Sequence, residues 1–505
     1  MEINYFDLSG GINQSSTKTE LGVNTKPVYW SDAQNIEILN NKGIIKQKGN
    51  SIFAQIPESE EITGMHEMEF DNIFNLIVTT ISGKIYIYSP LTGLFTLVDK
   101  TLHGIKVKFV PFLRGILVAS ESDPMFYIKN QDYEVVNCNL KDTNNVDIIP
   151  NNIAVYKGRV FCSSGATLYY SALGTYDDFG TENDAGYINE FHTDTSDITG
   201  IHAYKDYLAI YKKERIYLLA GTTPTDFAVY PFADKGTKAK NSILNVDNKQ
   251  YFLSNGIYAL EQVGELNQIR LGSEISLNIK NTIENLDNSR ISETFALHYH
   301  NKHQMWFFFP IKNNLRYNII WINDYLNKAW YKRVLPQKIT CACSYNSYIL
   351  TADEEGNIYR EDFGESFNGS PINFYWKSSF FSLNNVHHRK IIDEFYFILD
   401  GEYNNNFNFS VYKDYDVNNP EDNELIYSSH YNQLVWADDE EEANNNNCWA
   451  LENAIAPVWA INADTIEKAE ICGSCFSVQL CIDGKNSNND AAIIGLQFRE
   501  IYNDD

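Results

Sequence analysis

A hairpin that recurs about every forty residues constrains this chain more than any other feature of its sequence. Each copy is an apolar strand, a short polar turn, and a strand carrying an Ile-Tyr or similar aromatic pair. It reads NLIVTTISGKIYIY at 75–88, GILVASESDPMFYI at 115–128 and RVFCSSGATLYYSA at 159–172. It returns as YLAIYKKERIYLLA at 207–220, QYFLSNGIYALE at 250–261 and YILTADEEGNIYRE at 348–361. The equivalent aromatics are Tyr86, Tyr127, Tyr169, Tyr217, Tyr258 and Tyr359, spaced by 41, 42, 48, 41 and finally 101 residues. That last gap has room for one more unit, supplied by MWFFFP (305–310) and YNIIWIND (317–324). Period-2 alternation inside each piece predicts strands. A period near forty with several strands per unit predicts propeller blades. A blade buries its faces only against its neighbours, so the copies become stable by closing a ring. The count is seven, with six as the alternative. Closure requires the first and last blades to pair, and GIIKQKGNSIFAQI (43–56) is a strand pair available to complete the last blade.

Outside the repeat, SEISLNIKNTIENLDNSR (273–290) places Ile275, Ile279, Ile283 and Leu286 on one helical face, with Ser273 as N-cap. It predicts a helical connection lying across a blade. From Phe367 onward the period is lost. PINFYWKSSFFSL (371–383), KIIDEFYFILD (390–400), FNFSVYKDYD (407–416), SCFSVQLCID (474–483) and AAIIGLQFREIY (491–502) predict a separate sheet system. WADDEEEANNNN (436–447) reads as an exposed acidic loop. The chain is therefore expected to be all-β. An N-terminal arm and first strand span 1–42, a propeller 43–365, and a β-sandwich-like domain 366–505. Aromatic residues at 14% suit such pleated, half-buried surfaces.

The net charge of −26 argues against binding nucleic acid by phosphate neutralisation and against adhesion to anionic lipid. Met1 to Asn13 has neither a cationic start nor an apolar core, which predicts no secretory leader. The longest apolar run, Met305 to Ile311, is too short to cross a bilayer, so no membrane insertion is expected. Eight thinly spread cysteines predict reduced, buried thiols. Cys472 and Cys475 with Cys448 and Cys481 lack the two tight pairs of a structural zinc site. His298, His300 and His303 superficially suggest a metal pocket, yet they sit at a polar hairpin with no nearby carboxylate and are expected at the surface. Gly10 and Gly11 precede no helix and no Gly-Lys-Ser/Thr ending, which favours a turn over a phosphate loop. No sialidase box, Trp-Asp repeat signature or Gly-x-Ser-x-Gly elbow occurs. The expectation is a non-enzyme without catalytic, cofactor or metal residues.

FDLSGGIN (6–13), followed by SDAQNIEILNNKGIIKQKG (31–49), resembles the opening of nozzle proteins, also called tail stabilisation or muzzle proteins, of short-tailed double-stranded DNA bacteriophages, including the crAss-like group. YFLSNGIYAL (251–260) with the segment from Ser273, and NIIWINDYLNKAWYKR (318–333), are further similarities. The resemblance implies a propeller-containing virion protein, assembled in the host cytoplasm and located in the tail. It implies a homohexameric ring below portal and adaptor that contacts other tail proteins. Such a ring helps close the channel and serves genome ejection, with duplex DNA passing through its lumen without specific binding. By that analogy the Gly10-Gly11 turn lets the arm leave its own propeller and lie on a neighbour, and the net charge of −26 sets the expectation of an acidic or neutral lumen. The competing expectation is a glycan-binding or glycan-cleaving propeller.

Overall fold

The computed structural model describes residues 2–5, 7–15, 27–39, 42–70, 72–130, 132–141, 145–189, 191, 194–264, 268–381, 388–401, 403–420, 422–428, 465–469, 473–486 and 489–502. The chain divides into two compact units. One contains residues 50–325 and 335–364, the other residues 1–49, 326–334 and 365–505.

The first unit is the propeller. Each repeat becomes a four-stranded antiparallel sheet, and the first is Ile62–Phe70, Ile73–Thr80, Lys84–Ser89 and Leu94–Thr101 in spatial order. Four more sheets of four follow in sequence, beginning at Val107, Asn152, Ile198 and Leu244, and the sixth sheet contributes Phe295–Tyr299, Gln304–Phe308 and Ile319–Asp324 to this unit. The seventh takes its first three strands from Ile339–Tyr345, Tyr348–Asp353 and Asn357–Glu361. Its fourth, Asn50–Gln55, comes from the start of the chain. This strand closes the ring as the sequence suggested, with Glu361 opposite Asn50 and Asn357 opposite Gln55. Seven blades result.

The repeat hairpin is the second and third strand of each blade. Tyr86, Tyr127, Tyr169, Tyr217, Tyr258 and Tyr359 all lie on third strands, opposite Val78, Leu117, Cys162, Ile210, Phe252 and Thr351. In the sixth blade Trp321, opposite Phe307, takes the place. Buried tyrosines need a partner for the hydroxyl. Tyr127 donates to the Phe112 carbonyl at 3.0 Å, and Tyr359 to the Asp353 carboxylate at 2.8 Å. Asp353 also accepts the Glu355 and Asn357 amides, so the DEEGNIY turn is held by one carboxylate. Cores form between blades rather than within them. Val118 and Ile128 join Ile77 and Ile87 between the first two, while Cys343 and Leu350 of the seventh join Leu76 and Tyr86 of the first.

The second unit is a sandwich of two antiparallel sheets. One orders Trp30–Gln34, Phe374–Ser378, Val478–Gly484, Asn405–Lys413 and Asp422–Ser428. The other orders Ile36–Ile38, Ile44–Lys46, Ala492–Tyr502, Lys390–Leu399 and Thr465–Ala469. Glu2–Tyr5 is added on Ala492–Tyr502, and Gly473–Cys475 on Lys390–Leu399. Alternation turns Phe395 and Phe397 of one sheet onto Phe407 and Phe409 of the other, with ring centroids 4.8–5.6 Å apart.

Three expectations are corrected. The described strands within residues 1–42, Glu2–Tyr5, Trp30–Gln34 and Ile36–Ile38, do not form a free arm but belong to this chain's own sandwich. Leu8, Ile12, Val28 and Trp30 are at most 1% exposed, so burying them favours docking at home over reaching for a neighbour. The 43–56 segment is likewise split, with Ile44–Lys46 in the sandwich and Asn50–Gln55 in the seventh blade. The helix expected over 273–290 shrinks to a 3-10 turn, Leu277–Ile279, and one α-turn, Lys280–Glu284. Ile279, Ile283 and Leu286 are buried as the pattern required. However, Asn285 bonds back to the Asn281 carbonyl at 2.8 Å, and Leu286 forms a bridge with Ile311, which ends the helix. Ser273 caps nothing; Ser276 instead accepts the Ile257 amide and donates to Glu274. The acidic stretch 436–447 lies outside the described residues.

Candidate functional site in the axial channel

The first strands of the blades and the segments leading into them line an open-mouthed cavity of about 610 Å³ along the propeller axis. Its wall is contributed by all seven blades, among others through His66, Lys108, Asn152, His202, Ile243, Ala296 and Cys341. Lys108 stands on the strand Val107–Phe112 with Lys106 just before it, and Phe295, Ala296 and Leu297 at the start of another blade also line the cavity. Lys238 and Lys240 repeat the spacing just before the fifth blade.

The charge in the channel is opposite to that of the chain. Six cationic side chains, Lys106, Lys108, Lys238, Lys240, Arg290 and Arg316, meet three carboxylates, Glu61, Glu121 and Glu293. The carboxylates are already engaged. Glu61 pairs with Arg316 at 2.8 Å, Glu293 with Arg290 at 2.7 Å, and Glu121 with Lys106 at 3.6 Å. Lys240 donates to the Asn151 carbonyl at 2.7 Å. Lys108 has no hydrogen-bond or ion-pair partner among the described residues. By area it is half-buried, yet protein surrounds it. Burial, then the neighbouring Lys240 charge, lowers its pKa to about 8. Burial and the Lys108 charge hold both His66 and His202 near 4, so at neutral pH these imidazoles are uncharged. His66 stacks on Phe109, centroids 5.9 Å apart. His202 lies against Gln250 and the Ala203 carbonyl at 3.3 and 3.1 Å.

Chemically, this is a wall of donors and positive charge. Cys341 at its edge has its thiol pushed up to about 12 by burial, which leaves it protonated and unreactive. Among the described residues no group of three or more His, Cys, Asp or Glu is placed to hold a metal ion.

The residues weighed in the sequence fall elsewhere. His298 and His303 both touch the Tyr325 hydroxyl, at 3.1 and 3.2 Å, and His300 and His303 are exposed. Cys475 and Cys481 are buried free thiols on different sheets of the sandwich. Cys448 and Cys472 lie outside the described residues. Gly10 and Gly11 form a buried turn: Gly10 donates to the Val28 carbonyl, and Gly11 has φ +66° with its carbonyl accepting the Trp30 amide. Sequence reasoning passed over the channel lysines. Their signal was there, as Lys-Val-Lys and Lys-Ala-Lys at blade starts, but only ring closure makes those faces converge.

The fold and site thus define a seven-bladed β-propeller with a cationic axial channel, joined in one chain to a β-sandwich. No family model matches the chain, and no curated protein matches it. Among solved structures it is similar to a streptogramin B lyase, at 11% identity and TM-score 0.43, over 62% of this chain and 97% of that one. It is also similar to YCF48 bound to D1 peptide, at 11% identity and TM-score 0.40, over 65% and 97%. The WD40 β-propeller domain of Doa1 aligns at 10% identity and TM-score 0.40, over 62% and 96%.

Proposed function

We propose that the chain is a structural protein of a short-tailed double-stranded DNA phage virion, a nozzle-like subunit that assembles as a ring around the path of the DNA. The observation that carries this reading is where the resembling segments lie. FDLSGGIN, SDAQNIEILNN and NKAWYKR are far apart in sequence yet meet in one buried node of the sandwich unit. Ile12 donates to the Trp330 carbonyl at 2.7 Å, and Trp30 Nε1 to the Leu8 carbonyl at 2.7 Å. Asn35 clasps the last of these segments from both sides, donating its amide to Lys332 and accepting the Val334 amide at 2.7 Å. A second support is the edge strand Leu94–Thr101, which leaves Leu94 and Leu97 at 67% and 57% exposed, apolar surface suited to a subunit contact.

Mass photometry and electron microscopy of the purified full-length chain test the reading. The expected result is a sixfold ring that Leu94→Asp with Leu97→Asp disperses, together with antibody labelling of phage tails. A chain that remains monomeric, does not label tails and binds or cleaves a glycan would overturn it in favour of the glycan alternative.

A further inference from the structure

We propose that the axial channel of the propeller is a binding site for a compact oligoanion of the phosphate type, held principally by Lys108, Lys238 and Lys240. The inference rests on channel geometry and is independent of the tail assignment. A cavity of about 610 Å³ lies within the roughly 300–1,000 Å³ of small-molecule sites. With both imidazoles neutral, its lining carries a surplus of three positive charges in a chain of net charge −26. Like charges held together cost stability unless something compensates them. The three carboxylates offset only half of the six cations: their ion pairs are with Arg290, Arg316 and Lys106, and Glu121 also acts on Lys240. Lys108 lies within electrostatic reach of His66, His202 and Lys240, which stand on the first, fourth and fifth blades or their entries. An anion seated there receives donors from several blades at once. It would accept charge-assisted bonds from the lysines and neutral N–H bonds from the imidazoles. A single carboxylate carries one negative charge against a surplus of three; a short chain of phosphates carries several.

The test uses the full-length protein and inorganic tripolyphosphate at pH 7, by isothermal titration and thermal melting. The expected result is 1:1 binding that raises the melting temperature. Lys108→Met and Lys240→Met should each weaken it about tenfold or more, the loss of one charge-assisted bond. Lys108→Arg should retain most of the affinity, and Lys213→Met, an exposed lysine outside the channel lining, all of it. Without ligand, Lys108→Met should melt higher than the parent, since it removes an unpartnered charge; this also verifies that the variant folds. Absence of binding at millimolar tripolyphosphate, or equal binding by the Lys108 and Lys240 variants, would overturn the proposal. Displacement of tripolyphosphate by a short DNA duplex would also overturn it, by showing a surface for extended nucleic acid instead of a small-anion site.

Discussion

Replacing Gly11 by alanine would place a methyl group 2.8 Å from Ala329 Cβ and from the backbone nitrogen and oxygen of Trp330. Two of these neighbours are main chain and cannot swing aside. The same residue holds φ at +66°, where an alanine costs about 1–2 kcal/mol. Crowding against a packed backbone adds about 1–3 kcal/mol. The movement also stretches two short hydrogen bonds, Ile12 N–H to the Trp330 carbonyl at 2.7 Å and Trp30 N–H to the Gly11 carbonyl at 2.8 Å. Together these effects predict a loss of about 3–5 kcal/mol from the sandwich unit. Gly93→Ala is the matched control. Its φ is +69°, but a methyl there meets nothing within 4 Å, so only the backbone strain of about 1–2 kcal/mol applies. Urea unfolding gives the stabilities, and hydrogen exchange at the Ile12 and Trp30 amides localises the change. Equal stabilities for the two variants would refute the packing argument. It would also restore the turn to a swivel for an arm whose anchor lies on another subunit.

Two further predictions concern charges inside the propeller. His66 and His202 titrate near 4 when folded against 6.5 unfolded, so the unfolded chain binds more protons between those values. Stability should be whole above pH 6.5 and fall as pH drops toward 4, by up to about 3 kcal/mol per imidazole. Urea midpoints at pH 7 and 4.5 should therefore converge in a His66→Gln, His202→Gln variant, and an unchanged pH slope would refute the assignment. Lys212 is fully buried and donates to the Asp194 and Ser196 carbonyls at 2.6 and 2.7 Å, with its ammonium 4.6 Å from the Phe191 ring centroid. Lys212→Met should destabilise by about 2–4 kcal/mol because it strands those acceptors. The opposite sign from Lys108→Met in the same thermal-melting assay would separate a satisfied buried lysine from an unsatisfied one.

By itself the sequence determined what neighbouring residues decide. Alternation and the forty-residue spacing gave the seven blades, the place of each repeat tyrosine on a third strand, and most sandwich strands, because hairpins pair residues close in the chain. Tertiary structure decided the rest through pairings that no local window contains. Asn50–Gln55 closes the ring on Asn357–Glu361, and Lys46 donates to the Asn489 carbonyl at 3.0 Å. The glycine pair was legible as a turn, but its role as a spacer beneath Trp330 needed a partner some three hundred residues away. The helix over 273–290 failed for the converse reason: its apolar spacing was right, yet asparagines competing for the backbone and a bridge at Ile311 cut it to one turn. Net charge was least informative of all. It averages over the whole chain, whereas the channel gathers Lys108 from one strand and its other charges from the segments between strands, and only closure of the ring sets their sign against the rest.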